Sequence, residues 1–168
     1  MLTKFLGSAA IIGGSVFIGR NISLGLKRRE ESLNAFHSAL VMLESEISFS
    51  ANSIDRAFEN IAGAVKLRGF FEYVAGEIQE NGVRKAWSEG ITKYKDRLGI
   101  TDEDAKILLT LGGELGITNR ENQIKNIRYV ISMLETAEKE AGMRYMSLSG
   151  IYRNVSVGAG IAAAILLM

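Results

Sequence analysis

The chain has 168 residues, enough for one modest domain, and its 20 basic and 19 acidic side chains nearly cancel. This balance argues against electrostatic capture of nucleic acid or acidic substrates, and the lack of cysteine excludes disulfides, thiolate zinc sites and cysteine nucleophiles. The charges are unevenly placed, because Phe5–Gly19 and Asn154–Met168 carry none and all charged residues except Lys4 lie within Arg20–Arg153.

The first predicted element is an N-terminal transmembrane anchor over Met1–Arg20. Its uncharged run is short for about 30 Å of hydrocarbon, but Lys4 and Arg20 can extend their side chains to the interface. A cleaved signal peptide fits less well, because the run leads into Arg20 and Asn21 and lacks a small-residue cleavage site. A buried core helix is the third interpretation, since length alone does not separate it from a span.

Residues 21–150 are predicted to form a cytoplasmic bundle of about six helices, which makes the fold all-α. The segment lacks proline, and its apolar residues recur at intervals of three and four. Thr101 with Asp104, and Thr118 with Glu121, have the spacing of capping boxes that begin the last two helices. We expect the first and last helices to continue into the terminal spans. The apolar stripes run over Leu33–Ile47, Ile54–Val65, Phe70–Ile78, Val83–Leu98, Ala105–Leu111 and Ile124–Leu148, and Asn81-Gly82 is expected to close the third helix. The last stripe comprises Ile124, Ile127, Ile131, Leu134, Ala141, Tyr145 and Leu148.

The last predicted element is a C-terminal transmembrane segment over Ile151–Met168. Basic residues flank both spans on the side of the central segment, and this bias places the centre in the cytoplasm. Small residues in both spans recur at the spacing that lets helices approach closely, so the spans are predicted to pack on each other or on partner helices. The alternative is that Gly and Ala are simply common in membrane helices. The small residues are Ala10, Gly14, Ser15, Gly19, Gly158, Gly160, Ala162 and Ala164.

The central segment offers little for chemistry, and no catalytic, cofactor or metal site is predicted. His37 is the only histidine, and its spacing from Leu33 and Leu40 favours a packing role. The acidic clusters at Glu44 and Glu46 and at 102–104 are read as solvated faces or caps. The run Leu111–Gly116 lacks the Lys-Ser/Thr of a phosphate loop and is read as a helix end. The run 27–29 is read as an anionic-lipid contact, a topology signal, or both.

Three blocks of the chain resemble the stage III sporulation protein AB family. These blocks are AFHSALVMLESEISFS at Ala35–Ser50, LGGELGITNRENQIKNI at Leu111–Ile127 and GAGIAAAILLM at the C-terminus. The resemblance runs end to end and implies a helical domain like that of the type II secretion system F protein. It further implies a non-enzymatic scaffold in the mother-cell membrane around the forespore. The implied partners are a secretion-type ATPase and other membrane proteins of a channel complex, with no nucleic acid and no small-molecule substrate.

The resemblance also names candidate partner-binding residues, Glu44, Glu46, Arg120 and Gln123. They match the family's patterns, although Asn119 stands where Asp is usual and two proline positions are replaced within Lys27–Glu31 and Ser50–Ile54. Capping by Thr118 is expected to leave Arg120 and Gln123 facing outwards. Leu43 and Ile47 are expected in the core, which leaves Glu44 and Glu46 exposed.

Two other functions remain open at this point. One is a small helical pore former, because short spans rich in Gly and Ala can line or thin a bilayer. The other is a membrane-bound enzyme that uses Glu44, Glu46 or His37.

Overall fold

The structure is a computed structural model that describes the backbone of residues 2–49 and 53–167. Within these ranges it does not describe the side chains of residues 2–6, 8–12, 15, 149, 152–153, 155–157 and 159–167. The described part is all-α, as predicted, and contains five helices and no strand. They are α1 (Leu2–Phe49), α2 (Ile54–Ala64), α3 (Arg68–Leu98), α4 (Asp102–Gly112) and α5 (Arg120–Leu167).

The prediction of about six helices is wrong by one, because the expected third and fourth helices form the single helix α3. The predicted boundary at Asn81-Gly82 is nevertheless a real break, since Gly82 has φ 73° and ψ 160° inside α3. This backbone conformation is essentially restricted to glycine. Helical residues resume directly after Gly82, so the chain kinks without inserting a loop.

The two longest helices, α1 and α5, each have 48 residues and run without interruption into the terminal segments, as expected. The chain divides into two compact units. One comprises residues 31–139, here called the bundle, and the other comprises residues up to 30 and from 140 onwards. The bundle therefore holds α2, α3, α4 and the inner parts of α1 and α5.

The centre of the bundle is a cluster of five buried aromatic rings. Phe36 of α1 packs edge-on against Phe70 of α3, with ring centroids 5.1 Å apart, and edge-to-face pairs of this kind add to simple area burial. The indole Nε1 of Trp87 donates a hydrogen bond to the Leu108 carbonyl at 2.7 Å, which ties α3 to α4. The ring cluster comprises Phe36, Phe58, Phe70, Phe71 and Trp87.

Most residues of the predicted apolar stripes are buried, but in α5 the buried face differs from the predicted one. Ile127, Leu134 and Ala141 are buried as expected, whereas Ile124 and Ile131 are only half-buried. Val130 and Ala137, which the prediction omitted, are buried in their place. The buried positions of α5 thus follow steps of three and four closely, as one helix face requires.

The helix ends of the bundle follow the predicted signals in part. The Thr101 hydroxyl accepts a hydrogen bond from the Asp104 amide at 3.2 Å, and the Asp104 carboxylate accepts one from the Thr101 amide at 2.9 Å. This confirms the predicted capping box of α4. Gly99 ends α3 in the left-handed conformation, where a residue without Cβ fits best.

In the unit of terminal segments, Val16, Phe17 and Ile18 expose their side chains. Within the described part of the chain, no helix contains a stretch long and apolar enough to cross a membrane. Most side chains of the predicted spans at Met1–Arg20 and Ile151–Met168 are outside the set that the structure describes.

The small residues of the predicted spans are only partly described. Gly14 and Gly158 are exposed, and the space that a Cβ would occupy at each is open, so neither is in close helix contact within the described part of the chain. Gly19 is buried. The remaining ones lie outside the described side chains: Ala10, Ser15, Gly160, Ala162 and Ala164.

Candidate partner-docking face

The first sequence block packs against α5 just beyond the end of the second block, at Arg128. Arg128 Nε donates a hydrogen bond to Glu44 Oε1 at 2.7 Å. The Glu44 side chain is 22% exposed and that of Arg128 67%, so the pair lies at the edge of the helix interface. Glu44 is therefore less exposed than expected and has an internal partner. Its contact with Arg128 joins segments that are 84 residues apart in the sequence.

Two further contacts show that α1 and α5 run antiparallel in a fixed register. The Asn34 amide donates to the Glu138 carboxylate at 2.8 Å, and His37 Nε2 lies 3.7 Å from Glu135 Oε1. From Asn34 to His37 to Glu44 the steps along α1 are three and seven residues. The residue numbers of their partners on α5, Glu138, Glu135 and Arg128, decrease by the same steps. These polar pairs therefore form one ladder along the edge of the interface.

The end of α1 is tied to α2 and to the start of α5. The Asn60 amide donates to the Glu46 carboxylate at 3.3 Å, and Arg120 Nη1 donates to the Ser48 carbonyl at 3.4 Å. Glu46 and Ile47 are both half-buried, so Ile47 is less buried and Glu46 less exposed than expected. Glu46 and Arg120 thus help to hold three helices together at this end of the bundle.

Gln123 supports the loop before α5, contrary to the expectation that it faces outwards unbound. Its side-chain oxygen accepts a hydrogen bond from the Gly116 amide at 3.2 Å, and its side-chain nitrogen donates one to the Thr118 carbonyl at 2.7 Å. One amide group therefore satisfies both a donor and an acceptor of the loop backbone. Gly116 has φ 78°, which allows the sharp turn that Gln123 closes.

The predicted cap at Thr118 is wrong by one residue. Asn119 Oδ1 accepts from the Asn122 amide at 2.9 Å, the bond that an N-cap residue makes, whereas the Thr118 hydroxyl donates to the Glu114 carbonyl at 3.3 Å. Glu121 lies 3.1 Å from Lys125 on its own helix. Because Asn and Asp cap equally well, Asn119 replaces the usual Asp of the family pattern without loss.

Two large apolar side chains at this end of the bundle were not predicted to be exposed. Phe49, the last residue of α1, is 88% exposed, and Ile117, in the loop before α5, is 63% exposed. Phe49 falls outside the three-four spacing of its helix, and this is the one sequence signal that could have identified it. We define the docking face as Glu44, Glu46, Phe49 and Arg120. Exposed aromatic side chains beside arginine are typical of protein contact sites.

The groups proposed for catalysis have structural roles in the bundle. Glu44 and Glu46 accept hydrogen bonds from Arg128 and Asn60, and His37 belongs to the α1–α5 ladder. Among the described residues, no three His, Asp or Glu side chains come close enough together to hold a metal ion. The arrangement is one of helix cross-links beside an exposed aromatic ring.

Comparisons with known proteins agree with the resemblance seen in the sequence. The family model described as stage III sporulation protein AB matches residues 4–168. A protein named stage III sporulation protein AB, from Bacillus subtilis (strain 168), is 23% identical over 171 residues, which cover 99% of this chain and all of the relative. A solved structure of the same name has a TM-score of 0.65 and 24% identity, and covers 70% of this chain and 96% of its own. That structure shares the fold.

Proposed function

The chain belongs to the stage III sporulation protein AB family, and on that premise we propose that it is a non-enzymatic membrane scaffold in a sporulation channel complex. Membership implies a role in sporulation, and the relatives carry the name of a sporulation protein, with no enzyme named among them. In this proposal the bundle binds a cytosolic secretion-type ATPase through the docking face. The scaffold gathers channel components and performs no reaction of its own.

We place the protein in the mother-cell membrane that faces the forespore, with the bundle in the cytoplasm. Support comes from the charge-free ends and from the outward-facing Phe17 and Ile18, which lie just before Arg20. Basic residues beside such a segment favour the cytoplasmic side. Reporter fusions at each terminus and between α1 and α2 test this topology. A bundle on the non-cytoplasmic side would contradict the ATPase contact as well.

The observation that carries the docking proposal is the convergence of two separated sequence blocks at one end of the bundle. Arg120 reaches the Ser48 carbonyl and Arg128 reaches Glu44, so the end of α1 and the start of α5 are held together. Beside these cross-links Phe49 exposes nearly its whole ring. Removing such a ring from water on binding supplies affinity, while the cross-links keep the surface rigid.

Co-purification of the ATPase with the detergent-solubilised full-length chain tests the docking face. Phe49→Asp and Arg120→Glu are each expected to lower the recovered ATPase at least about tenfold, because a contact residue costs more than about 1 kcal/mol when it is lost. Leu109→Asp and Arg68→Glu serve as matched controls, since they alter an exposed aliphatic residue of α4 and an exposed arginine of α3. Both controls are expected to retain wild-type recovery.

Two results would count against this function. Absence of the ATPase from the wild-type preparation would remove the partnership itself. Equal recovery with Phe49→Asp, Arg120→Glu and the controls would leave the partnership but move it away from the docking face.

A further inference from the structure

A groove lies on the bundle between the kink of α3 and the loop that joins α4 to α5. Its volume is about 490 Å³. The apolar walls are Ile78 and Val83 on α3 and Leu115 and Ile117 on the loop. This volume is within the range of sites that accept a few side chains of a ligand. None of its residues belongs to the docking face.

The groove depends on two glycines in conformations that other residues rarely adopt. Gly82, at φ 73°, breaks α3 at the groove wall, and Gly116, at φ 78°, turns the loop at the opposite wall. A Cβ at Gly116 would come within 3.3 Å of both Ile54 and Val83. A side chain at this position would press on both neighbours and would be strained at this φ, so glycine suits the close approach of the loop to α3. The backbone conformation thus positions Ile117 at the rim, where it is exposed.

The charge of the groove is positive. Arg84 and Lys85 contribute to its lining, and no acidic side chain is among the described residues that line it. Lys85 Nζ is already held by Asn81 Oδ1 at 2.9 Å and lies 3.8 Å from Glu89. Arg84 Nη2 donates to the Gly113 carbonyl at 2.6 Å, and this neutral acceptor does not neutralise the guanidinium charge. An incoming carboxylate could make bonds to the remaining guanidinium donors.

We propose that this groove binds an acidic amphipathic helix of a protein partner. One or two apolar side chains of the helix enter between Val83, Leu115 and Ile117, and a carboxylate about one turn away bonds to Arg84. The groove walls are helix and tight loop and offer no strand edge, so an extended peptide would find no backbone partner here. A helix satisfies its own backbone and needs only apolar and ionic contacts. This contact does not depend on the ATPase or on the docking face.

Site-specific photo-crosslinking in sporulating cells tests the proposal on the full-length chain. A photo-reactive amino acid replaces Val83 in one strain and Ile117 in another, and mass spectrometry maps the attachment site on the captured protein. We expect both positions to label the same partner segment, with an acidic residue three or four positions from the labelled apolar residue. The same amino acid at Leu109, exposed on α4, is the control and is expected not to label that segment.

Variants of Arg84 separate binding from folding. Arg84→Gln removes the charge and is expected to lower the crosslink yield about fivefold, whereas Arg84→Lys keeps the charge and most of the yield. Circular dichroism confirms that each variant retains its helix content. Charge reversal on both sides, Arg84→Glu with a lysine at the partner's acidic position, is expected to restore the adduct.

Four outcomes would overturn the proposal. They are adducts with lipid, adducts with a second copy of this chain, the absence of any adduct at both positions, and an adduct whose yield is the same in Arg84→Gln. Loss of ATPase co-purification alone would not overturn it, because that result concerns the docking face.

Discussion

Arg128 Nε donates a hydrogen bond to Glu44 Oε1 at 2.7 Å and so fixes the register of α5 against α1. We expect a double-mutant cycle of Glu44→Gln and Arg128→Met to give a coupling energy of about 0.5 to 1 kcal/mol, since the pair is only half exposed. Urea unfolding of the full-length chain provides the measurement. Glu121 and Lys125, a more exposed pair within α5, are the control and are expected to have a coupling energy of about 0.3 kcal/mol. Equal coupling in the two cycles would contradict a special role for Glu44.

The kink in α3 predicts opposite effects for two glycine substitutions in the same helix. Gly82→Ala is expected to lower the free energy of unfolding by about 1 to 3 kcal/mol, because alanine is strained at φ 73°, ψ 160°. Gly76→Ala, at an exposed helical position with open space around a Cβ, is expected to raise it by about 0.5 to 1 kcal/mol. Denaturant titration measures both. A stabilising Gly82→Ala would mean that the kink is absent in solution.

The start of α5 predicts which of two neighbouring residues is the cap. Asn119→Ala is expected to cost about 1 kcal/mol and to remove hydrogen-exchange protection at the Asn122 amide. Thr118→Ala is expected to cost less, because its hydroxyl bonds to the Glu114 carbonyl and not to an amide of α5. Asn119→Asp is the conservative control and is expected to be neutral. A larger loss at Thr118 would favour the capping box predicted from the sequence.

Because Trp87 makes a buried hydrogen bond, replacing it by phenylalanine is expected to lower the free energy of unfolding by more than the smaller ring alone would. Trp87→Phe keeps an aromatic ring against Phe36 and Phe70 but removes the donor to the Leu108 carbonyl. The expected loss of unfolding free energy is about 1 to 3 kcal/mol. Trp87→Ala, which also opens a cavity, is expected to lose about 3 to 5 kcal/mol. Thermal and urea unfolding compare the two, and a neutral Trp87→Phe would show that the bond contributes nothing.

The ion pair between Lys95 and Asp102 predicts a pH dependence. The hydrogen bond from Lys95 lowers the pKa of Asp102 below its usual value. A depressed pKa in the folded state stabilises the fold above the unfolded pKa of about 3.9, and this stability is lost as the pH falls through the folded pKa. We therefore expect Asp102→Asn and Lys95→Met to flatten the decline of stability below about pH 4. An unchanged decline in both variants would show that the pair does not contribute.

Much of the fold was predictable from the sequence because helix periodicity and helix-breaking residues are local signals. The Asn81-Gly82 break, the Thr101 capping box and the aromatic residues of the core were all visible in the residue pattern. The number of helices was not, since a glycine with positive φ can kink a helix or end it. Which of these occurs depends on how the following residues pack.

The details of the docking face depended on contacts between distant parts of the chain. Thr118 and Asn119 are both capable caps, and the loop held by Gln123 decides between them. Glu44 and Glu46 were predicted to be solvated because their partners, Arg128 and Asn60, lie on other helices. The exposure of Ile117 follows from the turn at Gly116, which no periodic pattern records.

The matched steps of the α1–α5 ladder limit how the length of this protein can change. One residue inserted into α1 between Asn34 and Glu44 would turn the rest of that helix by about 100° and direct Glu44 away from Arg128. The same rotation would move the later residues of α1 out of their contacts with α2. An insertion of seven residues nearly restores the original face, provided that α5 lengthens equally. A change of bundle length that keeps these contacts is therefore expected to need paired changes in two segments that lie far apart in the gene.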